Sequence, residues 1–268
     1  MLQISRLLIG LFLAALAGTG LSTSAQAELL ITPKRIVLDG TTRDAMFRLV
    51  NTSSRTQVYE LVWRQLRMNE QGALLEEDEN VPGGVSRLVM VAPTRVTLEA
   101  GARQTVRVNP RIPEGLPDGE YMSHLTFRPV SSGQPVEGTG AAGASMRMQV
   151  RIGFSVPVIL RQGPVEGAVS IQPIGIDPQA GTVTVEMRRA GAISIFGDVS
   201  VYWGQPGQDG VQVGRLDSVA IYANLTRRVS VVPLNPPEGM RIGPGLLMVR
   251  YADPETGNVL AESTVRVD

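Results

Sequence analysis

Side chains able to do covalent or acid–base chemistry are sparse in this sequence and poorly spaced for it. The chain has no cysteine and a single histidine, His124. Without cysteine there is no thiol nucleophile, no zinc-thiolate site and no disulfide scaffold. His124 sits in a strand-like segment, and no Gly-x-Ser-x-Gly elbow elsewhere offers it a nucleophile to activate, so its expected role is structural. Gly138-Thr139-Gly140-Ala141-Ala142-Gly143 has the spacing of a dinucleotide cradle. That cradle works only between a buried strand and a helix N-terminus, whereas here polar loop precedes it and an alternating segment follows. Glu76-Glu77-Asp78-Glu79 lacks the spaced oxygen donors of a calcium loop and reads as a solvated turn. Tyr59, Trp63, Tyr202 and Trp203 are flat enough for a sugar platform, but in β-rich segments aromatics more often pack. Asn51-Thr52-Ser53 and Asn224-Leu225-Thr226 fit the glycosylation acceptor pattern, which matters only in a eukaryotic secretory route. The sequence therefore assigns no catalytic residue, no metal ligand and no cofactor, and a hydrolase reading ranks last.

The chemistry left over is that of the backbone. From Ala144 the even positions are Ala144, Met146, Met148, Val150, Ile152, Phe154, Val156 and Val158, and the odd ones Ser145, Arg147, Gln149, Arg151, Gly153, Ser155 and Pro157. Period two over some fifteen residues predicts one long strand, well beyond the usual five or six. Part of it is expected to overhang its own core, next to the Gly/Ser/Pro-rich stretch 131–143, which reads as a loop. An apolar face at a sheet edge can capture an extended partner by strand addition, and unbranched methionines adapt to different partner shapes. Periodicity alone is equally compatible with a long central strand packed under a second sheet.

The elements that would position this strand are all β. Segments such as Thr182-Val183-Thr184-Val185 and Val229-Ser230-Val231-Val232 alternate, and turn residues recur at Asp39-Gly40, Pro117-Asp118-Gly119, Gln208-Asp209-Gly210 and Thr256-Gly257-Asn258. Short strands at such spacing predict sandwiches or barrels. Arg161-Gln162-Gly163-Pro164 breaks the pattern, which divides the chain into 28–162 and 163–268. Before them Arg6, the apolar run Leu7 to Leu16 and Ala25-Gln26-Ala27 read as a cleaved signal peptide over 1–27, with no membrane insertion afterwards. Lys+Arg 25 against Asp+Glu 25 leaves no field to recruit nucleic acid or anionic lipid.

In order along the chain, Lys34-Arg35-Ile36-Val37-Leu38-Asp39-Gly40, Leu49-Val50-Asn51, Tyr59 to Trp63, Pro93-Thr94-Arg95-Val96, Gly101 to Val108, Leu116 to Tyr121, Ser123-His124-Leu125 and the alternating strand resemble the PapD-like periplasmic pilus chaperones. The resemblance spans essentially the first domain and, more weakly, the second. It implies two immunoglobulin-like β-sandwich domains set at an angle, in the periplasm, binding pilin subunits that lack their last strand. In that family the chaperone lends its long strand to the subunit until an outer-membrane usher exchanges it for the next subunit. The groove-filling positions fall here on Ala144, Met146, Met148 and Val150.

The resemblance also implies a pair of basic residues that hold the subunit's terminal carboxylate. The first falls on Arg35, and an arginine suits the role because its planar fork meets a carboxylate with two parallel hydrogen bonds. The second, a lysine in the family, falls on Gly153, so Arg151, one pleat earlier on the same face, is the candidate. Arg147 shares that face, roughly 13 Å further along the overhang. An arginine that the family places four residues after the lysine, paired with acidic residues, falls on Pro157, while Glu120 matches one of the acids. Two copies could also cap each other's Met146 and Met148 faces in a homodimer. The alternative function is an exported immunoglobulin-like structural or adhesive surface module.

Overall fold

The computed structural model describes residues 28–42, 44–78, 81–130, 136–139, 145–148, 152–206 and 210–267. Their order is β1 (Leu29–Thr32), β2 (Ile36–Leu38), β3 (Ala45–Asn51), β4 (Gln57–Arg64), β5 (Leu66–Met68), β6 (Leu74–Glu76), β7 (Val89–Ala92), β8 (Arg95–Leu98), β9 (Arg103–Pro110), β10 (Gly119–Pro129), β11 (Val136–Thr139), β12 (Ser145–Met148) and β13 (Phe154–Gln162). There follow β14 (Gly167–Asp177), β15 (Thr182–Gly191), β16 (Ile195–Gly204), β17 (Val211–Ile221), β18 (Arg227–Pro233), β19 (Gly245–Ala252) and β20 (Val259–Val267). No helix occurs among the described residues, so none is long and apolar enough to cross a membrane.

Two sandwiches result. In the first, a sheet of order β1-β3-β9-β7 faces one of order β2-β13-β10-β4-β8. This is the immunoglobulin arrangement, with the first strand divided between the sheets. The facing residues come from strict alternation: Phe47, Leu49 and Asn51 of β3 point inward while Met46 and Arg48 point out, and Tyr59 and Leu61 of β4 do the same opposite them. Tyr121, near the start of β10, bonds back to the Pro117 carbonyl at 2.9 Å, the tyrosine corner of such sandwiches. Asn51 is fully buried and its amide donates to the carbonyls of Arg55, Leu98 and Glu99, so the first acceptor motif is a packing device.

In the second sandwich a sheet β14-β15-β18 faces a sheet β17-β16-β19-β20. Val183, Val185 and Met187 of β15 meet Val199 and Val201 of β16 and Leu247, Val249 and Tyr251 of β19 in a core separate from the first. Of the four aromatics flat enough for a sugar platform, Tyr59 is in the first core, Trp63 lies against it, Trp203 lies against the second while donating to the Gly243 carbonyl at 3.1 Å, and Tyr202 has the Arg250 guanidinium 5.3 Å from its ring centre.

Two expectations are corrected in the segment before β13. The stretch read as loop carries β11, which pairs antiparallel with β12 in a two-stranded sheet. The strand expected to run unbroken from Ala144 is interrupted, because Ile152 and Gly153 are not in strand and β13 begins at Phe154. Glycine supplies no side chain to pack and readily marks such a break.

Candidate functional site

Arg35 stands at the join between the sandwiches because the first strand changes sheets there. β1 pairs with β3 in one sheet, and three residues after it β2 pairs in parallel with β13 in the other, in the register Ile36 to Val158, Val37 to Ile159 and Leu38 to Leu160. The crossing leaves Lys34 and Arg35 in a cleft of about 360 Å³ whose other walls include Pro157, Phe196, Tyr222 and Glu255. The Arg35 guanidinium lies 4.7 Å from the centre of the Phe196 ring, a cation–π stack that fixes its position. It donates to Glu255 Oε1 at 3.2 Å. Glu255 is carried by the turn after β19, which Asp253 holds by accepting from the N–H groups of Glu255 and Thr256 at 2.8 Å and from the Thr256 hydroxyl at 3.1 Å. Those bonds, the Thr256 N–H foremost, hold the Asp253 carboxyl below the usual range.

β13 is the second part of the site. Its Phe154–Gln162 span pairs with β10 along one side, from Phe154 opposite Phe127 to Gln162 opposite Gly119. On the other side β2 covers only Val158 to Leu160, so among the described residues the Phe154–Pro157 edge has no strand beside it. Ile152, just before it, is 68% exposed. Open backbone groups, an exposed isoleucine and a stacked arginine at the point where β2 begins therefore lie in sequence along one edge.

A different set of groups joins the sandwiches internally. Glu120 on β10 has a side chain only 1% exposed; it accepts from Arg161 Nε at 3.1 Å, from the Ser194 N–H at 2.9 Å and from the Ser194 hydroxyl. Arg161 also donates to the Ser194 carbonyl at 2.9 Å. His124 is fully buried with Nε2 3.0 Å from the Tyr222 hydroxyl. Burial pulls the imidazole down to about 4 and pushes the Tyr222 phenol up to about 12. Met68, Ala220 and Tyr222 form a small apolar core around this contact. The hairpin of β5 and β6 docks on the second sandwich as well: Asn224 donates to the Met68 carbonyl at 2.9 Å, Val229 N–H to the Glu70 carbonyl at 2.8 Å, and Arg227 pairs with Glu70.

The residues expected at the site are thus placed unevenly. Arg35 is in the cleft. Arg151, Ala144 and Val150 lie outside the described residues. Met146 and Met148 fall on β12, opposite Gly138 and Val136 of β11. Gly153 lines a separate groove with Glu60, Arg64 and Arg128, away from Arg35. Sequence reasoning missed Arg161, which it took as part of a strand break although it is inside β13 and directly opposite Glu120. Counting four residues back from Arg161 reaches Pro157, and Pro157, unlike Gly153, does line the Arg35 cleft. In the acidic run Glu76 pairs with Arg64 and Glu77 with Arg67, Glu79 lies outside the described residues, and no cluster able to hold a metal occurs among the described residues.

No family model and no curated protein matches the chain. Among solved structures it is similar to the Escherichia coli chaperone DraB, with 13% identity, a TM-score of 0.45, and 89% of this chain and 96% of that one covered. It is similar also to the YadV chaperone, with 10% identity, a TM-score of 0.44, and coverage of 90% and 100%. The structure of the Salmonella enterica SafA pilin in complex with the SafB chaperone matches at 13% identity and a TM-score of 0.44, over 91% of this chain and 98% of that one.

Proposed function

We propose that this chain is a non-catalytic periplasmic chaperone of pilus assembly, which binds pilin subunits by strand addition and passes them to an outer-membrane usher. The observation that carries the reading is the edge of β13 that no described strand covers, ending at Arg35. A strand added along Phe154–Pro157 meets the start of β2 and can go no further, so a chain terminus is the natural thing to arrive there. A terminal carboxylate at that point finds a guanidinium already held on Phe196. Ile152, and ahead of it Val150, Met148, Met146 and Ala144, supply alternating apolar side chains for a subunit's groove. Arg151 is retained as the second basic group, and the functional halves are 28–162 and 163–268 after removal of 1–27. No cofactor is required, and mutual capping of Met146 and Met148 by two copies is the form proposed when no subunit is present.

The test is capture of the protein from the periplasm of cells that express pilin-like subunits, with mass spectrometry of what accompanies it. Recovery of small subunits by the wild-type chain and their loss from a folded Met146→Glu/Met148→Glu variant is the expected outcome. Absence of any subunit would move the assignment to a surface module of immunoglobulin type.

A further inference from the structure

We propose that Glu255 is an internal stand-in for the partner's carboxylate, occupying Arg35 until a chain terminus displaces it. This rests on the carboxylate-binding reading of Arg35 and adds to it a regulated, competitive site.

The two members of the pair are held very differently. The Arg35 side chain is 23% exposed and stacked on Phe196, whereas that of Glu255 is 74% exposed. Glu255 reaches Arg35 through one hydrogen bond, and this is the one hydrogen bond of the Arg35 side chain among the described residues. A guanidinium has five N–H donors in a rigid fork, so most of its capacity is unspent. The turn does not depend on the contact, because its shape is set by Asp253 and the backbone of Glu255 and Thr256. Glu255 can therefore rotate into solvent without refolding anything, and Arg35 stays on its aromatic seat when it does.

Such an arrangement discriminates. A monodentate, solvent-exposed pair is a weak competitor, easily outmatched by a carboxylate that makes two parallel bonds and is delivered by a strand pairing along β13. A carboxylate that arrives without a strand must displace Glu255 unaided. The stand-in thereby raises the threshold for stray carboxylates, and it also covers the cation while no partner is bound.

The experiment follows the Arg35 Nε–Hε resonance of the purified protein, assigned by its absence in Arg35→Lys. The probe is N-acetyl-Leu-Val with a free C-terminal carboxylate, and its C-terminal amide serves as control. In Glu255→Gln the resonance should move before any probe is added, and the carboxylate probe should bind about two- to fivefold more tightly than to the wild type, the range an exposed ion pair supports. The amide should bind neither protein. Equal carboxylate affinity in both proteins overturns the stand-in and leaves Arg35 as the anchor. No response of Arg35 to the carboxylate in either protein rejects the anchor, and the stand-in with it.

Discussion

Of the arginine–carboxylate pairs where the sandwiches meet, Arg161–Glu120 and Arg35–Glu255 differ most in the burial of the carboxylate, and that burial separates their roles. Glu120 is enclosed, with its oxygens shared among Arg161 and two donors of Ser194. Glu255 hangs in solvent and touches Arg35 once. Removing a partner from an enclosed pair strands polar groups that water cannot reach, whereas opening an exposed one costs little because water replaces the lost bond. The same pair of functional groups therefore serves as a fastener in one place and as an exchangeable contact in the other.

The largest effect expected from breaking this contrast is at the fastener. Glu120→Ala leaves the Ser194 N–H and hydroxyl and one face of Arg161 without their acceptor, and should destabilise the protein by about 3 kcal/mol. Urea denaturation at neutral pH reads this as a lower midpoint. A loss below about 1 kcal/mol would place Glu120 with the exposed pair and remove the distinction.

Next in size is a pH effect confined to the same buried seam. His124 titrates near 4 in the folded protein and at the ordinary value of 6.5 when unfolded. As pH falls from 6.5, the unfolded chain takes up the proton first, so stability is full above 6.5 and is lost progressively toward 4. At about 1.4 kcal/mol per unit, the fall between pH 6.5 and 5 is of order 2 kcal/mol. His124→Gln should flatten the denaturation midpoint across that window. An unchanged slope in the variant would assign the pH dependence to carboxylates instead.

These buried contacts also mark the limit of what the sequence made legible. Alternation and turn residues sufficed for an all-β chain of sandwiches or barrels, because a period of two leaves a local trace at every strand, and the choice of sandwiches came from the resemblance. Arg35 was named only through the resemblance, because a charge just ahead of the apolar Ile36-Val37-Leu38 carries no local mark that separates it from an ordinary edge-strand arginine. Arg161 was not legible: Gly163-Pro164 beside it suggested a break, and its role depends on standing opposite Glu120, a register visible only once β10 and β13 are paired. Tyr222 lies 98 residues from His124, and the docking of β5 and β6 on the second sandwich joins Met68 to Asn224 across 156. No local pattern encodes such pairings. The interruption at Ile152 and Gly153 was hidden for the opposite reason, because alternation of residue types continues through it without a lapse.

At the exchangeable contact the expected balance is reversed, with little stability and much binding at stake. Arg35→Ala removes an exposed ion pair and a cation–π stack, which together contribute about 1 kcal/mol. Its effect on capture of a terminal carboxylate should be far larger, about tenfold to a hundredfold, since a charge-assisted hydrogen bond to a desolvated partner is at stake. Parallel measurement of denaturation and of carboxylate-peptide affinity separates the two. A variant that loses stability and binding in equal measure would make Arg35 a second fastener.

The smallest effect on stability is expected from the segment proposed to be lent away. If Met146 and Met148 serve a subunit's groove, their own fold gains nothing from them, and Met146→Glu/Met148→Glu should change the denaturation midpoint by no more than an ordinary surface substitution, about 0.5 kcal/mol. A methionine pair buried in the first core would instead cost several kcal/mol, because each carboxylate would enter an apolar interior without a partner. The same variant decides on mutual capping. If two copies cover these faces, sedimentation should show a dimer that the double substitution converts to a monomer of unchanged stability, since like charges brought together across the shared interface repel. A dimer that persists in the variant would place the contact elsewhere and leave the methionines to the subunit alone.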